Sequence, residues 1–248
     1  MCGRYELHTH PAAIALAFGL STPPSIVPRY NIAPMQQVPV VRRSQAGLRE
    51  LVTMRWGLVP RWAKDPAIGA KMINARAETI AEKPSFRTAF RRHRILLPAD
   101  GFYEWKLNAA GGKQPIHIGM KDRALFAFAG LAERWLSPEG EVVDSCTIVT
   151  TQANALLSPL HDRMPVIVAL NDYERWLDVS TTDVADLFTP FSASAMTWYP
   201  VSTRVNAVRN DDATLLERVA EAEAAAVPSE AAPIESVEPG KPEQSQLF

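Results

Sequence analysis

The chain has 248 residues, of which 47% are hydrophobic and 21% charged, with a formal net charge of −1. This composition is that of a globular chain, without an apolar run near the roughly 18–20 residues of a membrane-spanning helix or the basic-then-apolar start of a signal peptide. Two cysteines, Cys2 and Cys146, cannot form a disulfide framework, and no paired Cys/His spacing points to zinc; a secreted disulfide scaffold, a membrane protein and a zinc finger are set aside, and a cytoplasmic chain is expected.

In chain order, the apolar spacing predicts a helix over His10–Phe18, with Thr9 as its cap, then strands over Gln37–Arg42 and Leu51–Trp56. A helix over Ser85–Arg92 and a strand over Ile95–Leu97 follow. Ala109–Gly112 reads as a hairpin-type loop ahead of strands at Pro115–Ile118 and Ala124–Leu131. Beyond a turn at Pro138–Gly140 come strands at Cys146–Thr150 and Val166–Ala169. Helices are predicted at Asp172–Leu177, capped by Asn171 or Asp172, and at Thr182–Leu187, and a last strand at Met196–Tyr199. There is no internal repeat and no sustained βαβ alternation. The expectation is an α+β, mostly β domain over residues 1–219: a mixed, mostly antiparallel barrel or sandwich with peripheral helices.

Charge separates body from tail. From Glu217 onward there are seven acidic and two basic residues, leaving 24 basic against 20 acidic in residues 1–216. Residues 220–248 are rich in Ala, Glu, Pro and Ser up to residue 243, and predict a disordered acidic tail after a short helix. Lys71–Arg94 carries seven basic residues against two acidic ones, beside Phe86 and Phe90. Such a cluster is either a phosphate-binding surface or a solvated helix face.

Cys2 is the most informative position. Removal of Met1 would leave a free α-amine beside the thiol, with reference pKa values of about 7.7–8.0 and about 8.5. A 1,2-aminothiol condenses with an aldehyde: the amine forms an imine, and the thiol closes on it to a five-membered thiazolidine. Cys2 could instead act as an N-terminal nucleophile of an amidohydrolase, or be an incidental buried residue. In Asn74-Ala75-Arg76-Ala77-Glu78-Thr79, an extended chain puts Asn74, Arg76 and Glu78 on one face. An Asn and an Arg together suit phosphate or sugar oxygens; a satisfied polar loop is the plainer reading. Glu104 stands among aromatics in Phe102-Tyr103-Glu104-Trp105, where desolvation suits proton transfer; alternatively it faces solvent with Phe102 and Lys106. His161, followed by Asp162 and Arg163, can shuttle protons or be a surface histidine.

Taken together these strings resemble the SOS-response-associated peptidase (SRAP) family. The matching pieces are Met1-Cys2-Gly3-Arg4-Tyr5, Tyr30-Asn31-Ile32-Ala33-Pro34, Arg55-Trp56-Gly57-Leu58-Val59-Pro60-Arg61-Trp62, Asn74 to Thr79, Phe86-Arg87, Arg94 to Trp105 and His161-Asp162-Arg163-Met164-Pro165, in the family's order over residues 1 to about 210. The resemblance implies a β-rich SRAP barrel with a basic groove that binds abasic sites in single-stranded DNA. It implies a covalent thiazolidine crosslink through Cys2 after self-removal of Met1, which shields the lesion. By the same resemblance Asn74 positions the sugar and Cys2, Arg76 holds a phosphate, and Glu104 and His161 move protons, Glu104 also in reversal. Arg4, Thr150 and Arg163 lie in or beside the site. No metal or organic cofactor is implied, and the protein is expected in the cytoplasm with the nucleoid, as a monomer. The ending Gln244-Ser245-Gln246-Leu247-Phe248 resembles a sliding-clamp peptide, with Gln244, Leu247 and Phe248 as its contacts. A peptidase acting on other proteins, or a noncovalent nucleic-acid adaptor, are the competing readings.

Overall fold

A computed structural model describes residues 2–107 and 111–220 of the chain. Thirteen strands are present among them: β1 (Tyr5–Leu7), β2 (Arg29–Ile32), β3 (Gln37–Arg43), β4 (Arg49–Trp56), β5 (Asn74–Arg76), β6 (Arg94–Ala99), β7 (Gly101–Leu107), β8 (Lys113–Met120), β9 (Phe126–Leu136), β10 (Val142–Gln152), β11 (Arg163–Pro165), β12 (Ile167–Val168) and β13 (Met196–Pro200). Three short α-helices lie between them: α1 (Pro11–Phe18), α2 (Arg87–Arg92) and α3 (Tyr173–Leu177).

Five strands close on themselves in the order β10, β4, β3, β6, β9 and back to β10. All these pairings are antiparallel except β10–β4, which is parallel. The fold is therefore mostly β with a mixed barrel at its centre, as expected. A second, wholly antiparallel sheet runs β13-β8-β7-β1-β2. Aromatic packing joins it to the barrel. Tyr5 on β1 meets Trp56 on β4 and Phe128 on β9 edge to face, with centroids 5.4 and 5.8 Å apart, and Phe102 on β7 meets Phe128 at 5.9 Å. These rings are buried and contribute through both apolar burial and quadrupole geometry.

Several sequence expectations change. Thr9 does not cap α1. Its backbone N–H and hydroxyl both go to the Asp100 carboxylate, and the His10 side chain accepts from Ala12 N–H instead. Asp172 sits at the start of α3 but makes no side-chain cap bond. The helix expected over Thr182–Leu187 is a single 3-10 turn, Ala185–Phe188. The predicted hairpin is present as the β7–β8 pair down to Leu107↔Lys113, although residues 108–110 of its loop lie outside the described residues. So does the tail from residue 221, on which the expectations of disorder and of a clamp peptide fall. Strands β1, β2, β5 and β11 are three or four residues long and have no alternation long enough to read.

A loop at residues 202–212 straps the outer face of the second sheet. Its anchor is Asn31, wholly buried at the end of β2. The Asn31 amide nitrogen reaches the carbonyls of Val205, Ala207 and Asn210 at 3.1, 3.2 and 2.7 Å, and its Oδ1 accepts from Arg4 at 2.7 Å. Asp211 returns the contact by accepting from the backbone N–H of Tyr30 and Asn31. Removing one side chain would leave several buried polar groups unmatched. Asn31→Ala is expected to lower stability by about 2–4 kcal/mol, read as a fall in the urea midpoint with an unchanged slope.

Candidate active site

The N-terminal segment is held at the junction of the two sheets. Tyr103 N–H donates to the Arg4 carbonyl at 2.9 Å, fixing residues 2–4 along β7 beside Glu104. Across the site, the Asn74 amide donates to the Cys2 carbonyl at 2.9 Å. Asn74 stands there because β5 pairs in parallel with the end of β10, Ile148 opposite Asn74 and Thr150 opposite Arg76. On this strand Ala75 is buried and Arg76 exposed, so Asn74 and Arg76 share a face as the spacing predicts. Glu78 leaves that face. It lies on a 3-10 turn, Ala77–Thr79, and turns to Arg163.

Cys2 is fully buried. Burial pushes its thiol well above the ordinary range, and the Glu104 carboxylate adds to the rise. The Tyr103 N–H on the Arg4 carbonyl sets Cys2 alongside the strand that carries Glu104. Glu104 is 6% exposed, so the alternative of a solvent-facing carboxylate is overturned; Phe102 beside it is wholly buried. Burial also raises the Glu104 carboxyl above its ordinary value, and the charge of Asp162 raises it further. Asp162 belongs to the third side of the site. Its Oδ1 lies 2.7 Å from His161 Nδ1, which also faces Arg163 N–H at 2.9 Å. Burial lowers the His161 imidazole below its ordinary value, although Asp162 opposes this. The imidazole is therefore neutral at neutral pH.

Thr150, Arg163 and Arg4 work inside the fold. Arg163 is 9% exposed. It makes a two-pronged ion pair with Glu78, at 2.6 and 2.9 Å, and donates to the Thr150 carbonyl at 2.6 Å. The guanidinium holds the Glu78 carboxyl below its ordinary value. Arg4 donates to Asn31 Oδ1 and the Val205 carbonyl, both at 2.7 Å, and lies 5.7 Å from the Trp105 ring centre. Arg76 alone of the expected arginines is exposed.

The aromatics expected in the basic cluster are not exposed. Phe86 is buried, and Phe90 packs on Trp176 and Phe188. Arg94 is also buried, where its guanidinium serves the carbonyls of Trp176, Asp178 and Thr181. Exposed aromatic and basic side chains stand together instead in residues 61–71, just ahead of β5 in the chain, where Trp62 is 57% exposed among exposed Arg61, Lys64 and Lys71. Sequence reasoning did not single out the exposed Trp62, Asp162 beside His161 or Asn31 as a loop anchor, and it set Glu78 on the Asn74 face rather than on Arg163. The adjacent Arg61 and nearby lysines were the available signal for Trp62. Among the described residues no cluster of His, Cys, Asp and Glu has the geometry to hold a metal, and no helix is long and apolar enough to cross a membrane. Cys146 is buried with its thiol likewise pushed up.

The family model described as SOS response associated peptidase (SRAP) matches residues 1–208. The abasic site processing protein YoqW of Bacillus subtilis is 43% identical over 223 residues, covering 88% of this chain and 99% of its own. HMCES of Gallus gallus, also named an abasic site processing protein, is 34% identical over 218 residues, covering 74% and 64%. A crystal structure from Bacteroides thetaiotaomicron superposes with a TM-score of 0.79 at 28% identity, covering 88% of this chain and all of its own.

The charge of Asp162 acts on Glu104 in a definite direction. Asp162→Asn removes a negative neighbour, so the Glu104 carboxyl should titrate at lower pH than in the parent. Carboxyl-carbon NMR of 13C-glutamate-labelled protein reads this midpoint directly; an unmoved or raised midpoint would contradict the coupling.

Proposed function

The chain belongs to the SOS response associated peptidase family, and from that premise we propose that it processes abasic sites in single-stranded DNA by crosslinking to them through Cys2. The observation that carries this reading is the Asn74 amide on the Cys2 carbonyl, with the buried Glu104 acting on the same residue. An abasic sugar in its open form is an aldehyde. Once Met1–Cys2 is hydrolysed, the Cys2 α-amine adds to that carbon and water leaves, giving an imine. The thiol sulfur then adds to the imine carbon, its proton passes to nitrogen, and a thiazolidine results.

The order of steps follows from the electrostatics. A thiol raised by burial is protonated at rest and is a poor first nucleophile, while the amine is partly free near neutral pH. Glu104, with its carboxyl raised, is suited to give a proton to the departing hydroxyl and to take the thiol proton at closure. Neutral His161 is suited to exchange protons with the sugar oxygens. Asn74 holds the Cys2 carbonyl and so aims both nucleophiles. Arg163 and Thr150 fix the β10 end and the loop carrying His161, and Arg4 fixes the N-terminal segment; they are positioning residues rather than phosphate contacts. For the strand we assign exposed Arg76, Lys71, Lys64 and Arg61 to the phosphates and Trp62 to base stacking. A missing base leaves nothing to unstack, so presenting the sugar costs little.

The test is a denaturing gel of Met1-processed protein with a single strand carrying one abasic site. A slow-migrating band should require both the lesion and Cys2. Glu104→Gln should slow its formation on the order of 100-fold. Absence of the band from processed protein, or its persistence in Cys2→Ala, would refute the covalent reading.

We also propose that Gln244-Ser245-Gln246-Leu247-Phe248, which lies outside the described residues, docks on the replication sliding clamp through Gln244, Leu247 and Phe248. Deleting these five residues should abolish retention on immobilised clamp and leave the crosslinking rate unchanged. Equal retention of parent and deletion would refute it.

A further inference from the structure

A ridge of cations leads away from Asn74 along α2. Arg76 ends β5 opposite Thr150, and the 3-10 turn Ala77–Thr79 follows it. From there the chain winds in hydrogen-bonded turns. Lys83 N–H donates to the Thr79 carbonyl at 3.0 Å, and Arg87 N–H to the Lys83 carbonyl at 2.9 Å. Helix α2 carries the winding on to Arg92. Lys83, Arg87 and Arg91 therefore stand four residues apart on one face, about 6 Å from step to step. All three are exposed. The other face of the helix is fixed inward. Phe86 and Ala89 are buried, and Phe90 packs on Trp176 and Phe188 where the helix lies against β6 and β9.

These cations differ from other surface arginines. Arg42, Arg134 and Arg175 are tied to Glu50, Asp144 and Asp186 at 2.8, 2.7 and 2.5 Å. Among the described residues, Lys83, Arg87 and Arg91 have no acid within ion-pair distance. Glu78 is taken by Arg163, and Glu82 is exposed beside Lys83 without pairing with it. Like charges one turn apart repel and work against the helix, so the fold gains nothing from a stripe of three. An extended single strand of nucleic acid carries one negative phosphate per nucleotide at a comparable step. Binding it neutralises the stripe and releases counterions.

We propose that Lys83, Arg87 and Arg91 form a phosphate track for the single strand as it leaves the lesion, continuing from Arg76 down the flank of the barrel. This rests on the reading that the chain binds single-stranded DNA, and extends the contact from the lesion to the strand beside it. The exposed side chains of α2 are Arg87, Thr88, Arg91 and Arg92, with no aromatic among them. The track therefore holds the backbone and reads no base. Its contribution grows with the length of strand present and is the same whether or not a base is missing.

The measurement is fluorescence anisotropy with full-length Cys2→Ala protein, in which binding is noncovalent. The probes are single strands with one abasic site: a short one of about five nucleotides, and long ones of about twenty, extended at one end or the other. One extension should tighten binding. Adding Lys83→Gln, Arg87→Gln and Arg91→Gln should cancel that gain, about tenfold, and lower the slope of log K against log salt by about 2. The short strand should bind with and without the three substitutions alike. Lys113→Gln, Lys121→Gln and Arg123→Gln together remove the same charge from exposed positions on and after β8, and should leave the slope unchanged. No gain from either extension, an unchanged slope in the α2 variant, an equal fall in the β8 variant, or a gain seen only when the extension is annealed to a complement would overturn the proposal. Crosslinking is scored separately, on the short strand with Cys2 present. An unchanged slope beside an intact band refutes the track alone; a lowered slope without a band supports the track and refutes the covalent reading.

Discussion

β10 is the strand on which the rest of the structure depends, because it changes partners on both edges along its length. One edge pairs with β9 through Ile148↔Gly130 and then with β11 from Thr150↔Pro165. The other pairs with β4 at Ser145↔Arg55 and Cys146↔Trp56 and then with β5 from Ile148↔Asn74. The first half of the strand closes the barrel. The second half, no longer needed for closure, carries Asn74 on one side and the Arg163 segment on the other. Backbone hydrogen bonding is obligatory for buried strands, so the two short strands supply what β4 and β9 leave unmatched, and in doing so bring two distant segments to Thr150.

The handover from β4 to β5 also makes the exposed surface just ahead of β5. The chain leaves β4 at Gly57, whose φ of +138° favours glycine, and whose Cβ would come within 2.7 Å of the Gly69 carbonyl oxygen. Two backbones touch there and pinch off the excursion that holds Trp62 and Lys64. The excursion returns in register, Leu58 N–H on the Met72 carbonyl and Ile148 N–H on the Ile73 carbonyl. The exposed Trp62 thus stands on an excursion whose two ends are both tied to the backbone.

Charge is handled differently on the two faces of the antiparallel sheet. Towards the barrel, Glu104 is desolvated and its carboxyl is raised, near a thiol that is raised for the same reason. On the outer face Glu6 is as deeply buried, but His117 and His8 lower its carboxyl. Two carboxylates of one sheet thus take opposite protonation tendencies, Glu104 from its burial and Glu6 from the histidines that outweigh burial. The 202–212 loop, tied down by Asn31, shields the outer face and ends Arg4's search for a partner, so the N-terminal segment is braced from both sides.

The sequence by itself determined the place of Cys2 next to the N-terminus, most of the long strands, the mostly β class and the pairing of Asn74 with Arg76 on one face, because these depend on residue identity and local alternation. Family motifs in order also pointed to Glu104 and His161. What only the tertiary structure decided is which arginines remain available. Arg163 and Glu78 are 85 residues apart in sequence, and Arg4 and Val205 are 201 apart. No local pattern distinguishes these arginines from exposed Arg76. The short strands β1, β2, β5 and β11 were equally illegible, since three or four residues become a strand only when a neighbouring edge needs them. Phe86 and Phe90 lie in the basic stretch yet face inward, because helix α2 must bury one side against β6 and β9. Local pattern sets which side chains can react; long-range pairing sets which of them meet, because the barrel's closing edges are joined by segments that the chain separates widely.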